Sequence, residues 1–143
     1  MAERAFEGGC HCGSLQFTYS SALRPVQWKP VACGCAFCRA HGAVMVGDPA
    51  GRVAFNYVHP EHLRRYRFGL RTSDFLVCRE CGVLLGAVML TGSGARAAIN
   101  VHALREPPRT LRRDAAKLDV RAESVEDRRR RQSATWTPVT GPV

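Results

Sequence analysis

Long apolar runs are missing from this sequence. About 20 consecutive apolar residues are needed for a helix to cross a bilayer, and no stretch approaches that, so a helical membrane span is excluded. Nor is there an apolar run behind a basic start: Met1-Ala2-Glu3-Arg4 leads within a few residues to Gly8-Gly9. The expectation is a soluble, cytoplasmic chain without a cleaved leader. Lysine is scarce, since 19 of the 21 basic residues are Arg. Aromatic residues are only 8% of the chain and hardly mix with the basic ones, as single-strand binders require. That reads against nucleic acid as a partner. No internal repeat exceeds a pair of cysteines. An even cysteine count is missing too: seven thiols cannot all pair as disulfides.

What the sequence does hold is enough for one domain. At 143 residues with 45% hydrophobic content, a single unit spanning 1–143 is expected. The net charge of +9 attracts anions without selecting among nucleic acid, anionic membrane and small substrates.

The cysteines fall in three groups: Cys10-His11-Cys12, Cys33-Gly34-Cys35-Ala36-Phe37-Cys38 and Cys78-Arg79-Glu80-Cys81. C-x-C is a poor disulfide spacing, whereas clustered thiols in a reducing compartment are metal ligands. Four thiolates close a structural zinc site and three leave a zinc with an open position. Cys10/Cys12 and Cys78/Cys81 are natural halves of a closed site, which leaves Cys33, Cys35 and Cys38 for a second ion. Other pairings of the seven satisfy the spacing equally. Iron or an iron–sulfur cluster is the alternative metal, and the knuckle form of Cys78-Arg79-Glu80-Cys81-Gly82 favours zinc.

The rest of the chain reads as short strands divided by turns, hence a mainly β domain. Residues 6–13 form an entry loop in which glycines accommodate unusual torsions near the metal. Leu15, Phe17 and Tyr19 alternate with Gln16 and Thr18, as in a half-buried strand over 14–19. Residues 20–24 read as a turn, and 26–31, 43–46, 53–58, 83–90 and 97–101 as strands. One helical turn over 37–43 ends at Gly42. Residues 63–68 fit a short helix or an irregular strand. Beyond Leu104 the composition changes. Residues 105–143 form a basic excursion and tail, and 109–132 read as a solvated helix or a loosely held segment. Leu111, Ala115, Leu118 and Ala122 recur there at helix-like spacing. Asp114, Asp119, Glu123, Glu126 and Asp127 are interspersed with its arginines. Trp136 prefers burial, so the tail is expected to return to the domain.

Three motifs carry a family resemblance: Gly9-Cys10-His11-Cys12-Gly13-Ser14-Leu15, Cys33-Gly34-Cys35-Ala36-Phe37-Cys38-Arg39 and Phe75-Leu76-Val77-Cys78-Arg79-Glu80-Cys81-Gly82. With the Ile99-Asn100-Val101 segment they span about residues 6–104. In order and separation they resemble the glutathione-dependent formaldehyde-activating enzyme family, which includes the centromere protein V group. The resemblance implies an Mss4-like, mainly β, zinc-stabilised fold. It implies two zinc ions per chain: a structural one on Cys10, Cys12, Cys78 and Cys81, and a catalytic one on Cys33, Cys35 and Cys38. It also implies a carbon–sulfur lyase-type activity on a thiol–aldehyde adduct, as in joining glutathione to formaldehyde. Two features depart from the pattern. Ala36 stands where the family often has Ser, and the Arg-rich stretch after residue 104 has no counterpart among the glutathione-using members.

Among the remaining candidates, His41, three residues after Cys38, is the best-placed fourth ligand or proton shuttle at the open site. Arg39 is placed to steer an anion. Phe37 is expected to pack beneath the site and Asn100 to bond a turn. His11, His59, His62 and His102 read as structural or exposed. The alternative to an enzyme is a zinc-stabilised binding module, which would tolerate loss of the Cys33/Cys35/Cys38 triad. That triad is intact.

Overall fold

The structure, a computed structural model, describes residues 2–109, 111 and 115–143. It is mainly β. In chain order the strands are β1 (Arg4–Gly9), β2 (Leu15–Ser21), β3 (Val31–Cys33), β4 (Met45–Val46), β5 (Arg52–Tyr57), β6 (Leu63–Tyr66), β7 (Asp74–Cys78), β8 (Leu84–Thr91), β9 (Gly94–Asn100), β10 (Ala116–Leu118) and β11 (Thr137–Pro138). Among the described residues two α-helices join them, α1 (Ala36–His41) and α2 (Val125–Thr135). One sheet runs β1-β2-β5 and the other β10-β3-β4-β9-β8-β7-β6, with β11 added beside β9. All pairings are antiparallel except β10 with β3.

The alternation expected of β2 is present, and it builds the core. Leu15, Phe17 and Tyr19 are at most 1% exposed and join Val53 and Phe55 of β5, Leu76 of β7, and Ala97 and Ile99 of β9 in one cluster. Burying side chains of that size contributes about 1.5–3 kcal/mol each. Trp28 closes one end. Its ring meets Phe6 and Tyr19 edge-on, at 4.8 and 5.4 Å between centroids, and its Nε1–H donates to the Leu23 carbonyl.

Several segments depart from the sequence reading. The entry loop over 6–13 is largely β1, paired with β2 along its whole length. Gly8 is required there by crowding rather than torsion: a Cβ would lie 2.3 Å from the Phe17 ring and 2.8 Å from the Ala103 carbonyl oxygen. β2 continues to Ser21, through residues expected to turn. The buried Ser21 hydroxyl donates to Asp48 Oδ2 at 2.6 Å and accepts from the Leu23 N–H, so its burial leaves nothing unsatisfied. The strand expected over 26–31 is instead a 3-10 turn, Pro25–Gln27, followed by extended chain that enters β3 only at Val31. Pro25 presets the turn, Gln27 accepts from the Arg24 N–H, and Val26 points outward. Of residues 63–68, the first four form the edge strand β6.

The largest difference lies beyond residue 104. Leu111 is buried in the main cluster, and residues 116–118 make strand β10 rather than helix. Their helix-like spacing fails because β10 finds an open edge: Ala116 N–H donates to the Pro30 carbonyl, and Gly34 N–H to that of Leu118. Asp114 lies outside the described residues. The tail returns as expected. Thr137 is fully buried, β11 pairs with β9, Arg96 donates to the Trp136 carbonyl, and the Thr140 N–H bonds the Val53 carbonyl.

Candidate functional site

The first thiol group is assembled from two hairpin-like loops. Cys10 leaves β1, and Cys12 follows in the turn before β2, where Leu15 N–H donates to Cys10 Sγ at 3.3 Å. Cys78 ends β7, and Cys81 closes the next turn, in which the Gly82 N–H donates to the Cys78 carbonyl. Gly82 sits at φ 80°, a conformation that side chains resist, so the chain can curl under the sulfurs. The four Sγ atoms all lie within 4.8 Å of one another, with Cys10–Cys12 and Cys12–Cys78 at 3.6 Å. A tetrahedron with metal–sulfur bonds of about 2.3 Å has edges of about 3.8 Å. The donor set therefore fits a closed, four-thiolate metal site.

Backbone and side-chain donors already point at these sulfurs. Ser14 Oγ lies 3.2 Å from Cys12 Sγ and 2.8 Å from Nδ1 of the half-buried His62. Hydrogen bonds from the Ser14 hydroxyl and N–H bring the exposed Cys12 thiol down to about 6. Burial pushes Cys78 up to about 12. His62 thus stands behind a candidate metal ligand through Ser14. His59 is exposed and pairs with Glu61, and His11 is exposed between its cysteine neighbours.

The second group is Cys33, Cys35 and Cys38, whose sulfurs also lie within 4.8 Å of one another. Cys33 ends β3. Cys35 is the N-cap of α1, its sulfur accepting from the Cys38 N–H at 3.4 Å. Cys38 is buried one turn further on, against Ala43 and Leu84. As thiols the three divide their protons unevenly. The Cys38 S–H donates to Cys33, which takes Cys33 down to about 5 and raises Cys38. Arg131 of α2 lowers Cys33 further by charge.

His41 does not join this group. It is exposed at the end of α1, with its ring 4.6 Å from that of Phe37. Phe37 packs beside the cysteines and leads into a cluster with Tyr66, Phe68 and Phe75 at centroid distances of 4.9–5.3 Å. Arg39 is exposed. Asn100 holds the backbone: its amide donates to the Leu84 carbonyl and its Oδ1 accepts from the His102 N–H.

All three cysteines of the second group open onto a cavity of about 560 Å³, a size common for small-molecule sites. Much of its wall is apolar, including Val31, Met45, Val46, Phe68, Phe75 and Trp136. The charged residues of the wall are Lys29, Asp48, Arg128 and Arg131. Both Asp48 oxygens are engaged, by the Ser21 hydroxyl and the Ala50 N–H. The arginines come from α2, whose N-cap is Ser124 and whose first turn carries Glu126 and Asp127. Its inward residues, Arg128, Arg131 and Gln132, follow helical spacing but are polar. A search for apolar periodicity passes over such a face. The signal available was Glu123 ahead of Arg128 and Arg131, and the structure joins these three.

No family model matches the chain, and no curated protein does. Among solved structures the chain is similar to the crystal structure of a Rhodobacter sphaeroides protein determined as a structural genomics target. The two are 26% identical, the match covers 79% of this chain and 97% of the other, and the TM-score is 0.56. No described helix is long and apolar enough to cross a membrane.

Proposed function

We propose that this protein is a zinc-dependent carbon–sulfur lyase-type enzyme acting on a thiol–aldehyde adduct, with glutathione and formaldehyde as the reference pair. The observation that carries this reading is the opening of all three second-group cysteines onto one cavity of small-molecule size. Cys10, Cys12, Cys78 and Cys81 would hold a structural zinc, and Cys33, Cys35 and Cys38 a catalytic one. The motif resemblance supports the same partition and an Mss4-like description of the β fold, and the clustered free cysteines support a cytoplasmic setting.

In the forward reaction a thiol sulfur bonds to the aldehyde carbon, and the carbonyl π pair moves to oxygen. The thiol proton ends on that oxygen; the reverse reaction breaks the C–S bond. Zinc bound by three thiolates supplies a Lewis acid that lowers a thiol pKa without redox change. The protein's own residues do the rest. Phe37 and the aromatic cluster keep one side of the cysteines dry, and the apolar wall excludes water from the adduct. Lys29 and Arg131 place positive charge where a thiolate approaches. Ala36 leaves no hydroxyl within the cysteine loop, so the proton that reaches the oxygen is not relayed by a side chain at that position.

The test is a screen of thiols and aldehydes on zinc-loaded protein, comparing the native chain with Cys38→Ser. Adduct formation above the uncatalysed rate by the native chain alone supports the reading. Equal rates for the two overturn it and leave a zinc-stabilised binding module.

A further inference from the structure

Arg128 and Arg131 are not free surface charges. Their side chains are 18% and 26% exposed, and both are held by one carboxylate, Glu123, which is 17% exposed. Arg131 donates to it through Nε at 2.7 Å and a terminal nitrogen at 3.1 Å, and Arg128 through Nε at 3.1 Å. Arg128 also donates to the Val120 carbonyl. A guanidinium has five N–H donors, so each arginine keeps donors beyond those used here. One carboxylate cannot neutralise two guanidinia, and the pair carries an excess positive charge. Both side chains line the cavity onto which Cys33, Cys35 and Cys38 open.

Gln132 supplies a second, independent observation. It is 3% exposed, lines the same cavity, and its Oε1 has no hydrogen-bond partner among the described residues. A buried polar atom left unpaired costs about 1–3 kcal/mol, so native structures rarely leave one without a purpose. Rotation of the amide exchanges its acceptor and donor ends, so the same side chain can present N–H to an anion. Two braced guanidinia therefore line a space whose other walls are largely hydrocarbon, and Gln132 adds a buried amide to the same wall.

We propose that Arg128, Arg131 and Gln132 form an anion-binding subsite of the cysteine cavity, and that its ligand joins an apolar body to one carboxylate-type head. This deepens the reading of the cavity as a thiol-adduct site and rests on it for the ligand's sulfur. Glu123 is a positioning residue, since it holds the two guanidinium planes toward the cavity. The apolar wall favours an aliphatic or aromatic mercapto acid over a thiol that is polar along its whole length.

Hexanoate and hexanol share a body and differ in the head, and neither needs a thiol or a metal. Binding of each to the full-length, zinc-loaded protein is measured by calorimetry and by the fluorescence of Trp136, which lines the cavity. Hexanoate should bind about tenfold or more tightly than hexanol, as expected of a charged hydrogen bond. Arg131→Gln should bring the ratio close to one with hexanol affinity unchanged, and Arg131→Lys should keep part of it. Hexanol is the internal control for an intact cavity in each variant. Equal affinities in the native chain, or a ratio unaltered in Arg131→Gln, overturn the subsite. The thiol–aldehyde screen is read separately: turnover without hexanoate preference removes this inference alone, and hexanoate preference without turnover removes only the enzymatic reading.

Discussion

Glu123 and Arg131 are joined by two hydrogen bonds, at 2.7 and 3.1 Å, in a setting where neither side chain is more than about a quarter exposed. The pair links the residue before the Ser124 N-cap to the second turn of α2, and Arg128 completes the clamp from the first. A charge array that would be solvated on an isolated helix is thereby turned into a cavity wall.

Replacing Glu123 with Gln should therefore loosen α2 while leaving the β core in place. A cost of about 1–3 kcal/mol is expected, because two partly buried guanidinia lose a charged acceptor. Thermal unfolding followed by circular dichroism measures it. A change within a few tenths of a kcal/mol would place the clamp among surface ion pairs of little energetic weight.

The same carboxyl sets a pH dependence. Hydrogen bonds from Arg131, with the charge of both arginines, hold Glu123 below the ordinary carboxylate value of 4.5. Its folded value is thus lower than its unfolded one, so its stabilisation is present above about pH 4.5 and is lost as the pH falls through the folded value. Acid titration should show the native chain losing more stability than Glu123→Gln in that window. Parallel curves for the two would contradict the assignment.

The two thiol groups should respond differently to metal removal. Metal analysis should find two zinc ions per chain. Mild chelation should take the one at Cys33, Cys35 and Cys38 first, with the β signal kept. Cys78→Ser, at the closed group, should lower the melting temperature far more than Cys35→Ser, because zinc held by four thiolates contributes about 10 kcal/mol or more to folding. A single zinc per chain, or equal destabilisation by the two variants, would go against this division.

Ser14 stands between His62 and Cys12. Outer hydrogen bonds orient metal ligands, and losing one typically costs 10–100-fold in affinity. Ser14→Ala should weaken zinc binding at the first group by about tenfold, read by competition with a chromophoric chelator, with little change at the second. His62→Ala should act in the same direction. Unchanged affinity in Ser14→Ala would show the hydroxyl to be a bystander.

Sequence reasoning succeeded where a pattern is local and apolar. The Leu15, Phe17, Tyr19 alternation becomes β2, and the apolar run at 83–90 becomes β8. The division of thiols into four and three also matches the two groups in space. It failed where distant partners decide. β1 carries few apolar residues and exists through its ladder with β2, while residues 116–118 become a strand only because β3 offers an edge. His41 looked well placed by spacing, but the direction of a short helix aims its ring at Phe37. Arg128, Arg131 and Gln132 escaped notice because an inward polar face has no hydropathy signature.

The parallel pairing of β10 with β3 has a consequence for biosynthesis. Every cysteine lies at or before residue 81, whereas β10 and α2 lie between residues 116 and 135. On the ribosome all the thiols emerge first, while the strand beside Cys33 still has a bare edge. The wall that carries Arg128 and Arg131 is added afterwards, so a nascent chain passes through a stage in which both thiol groups are complete and the pocket beside Cys33 is still open.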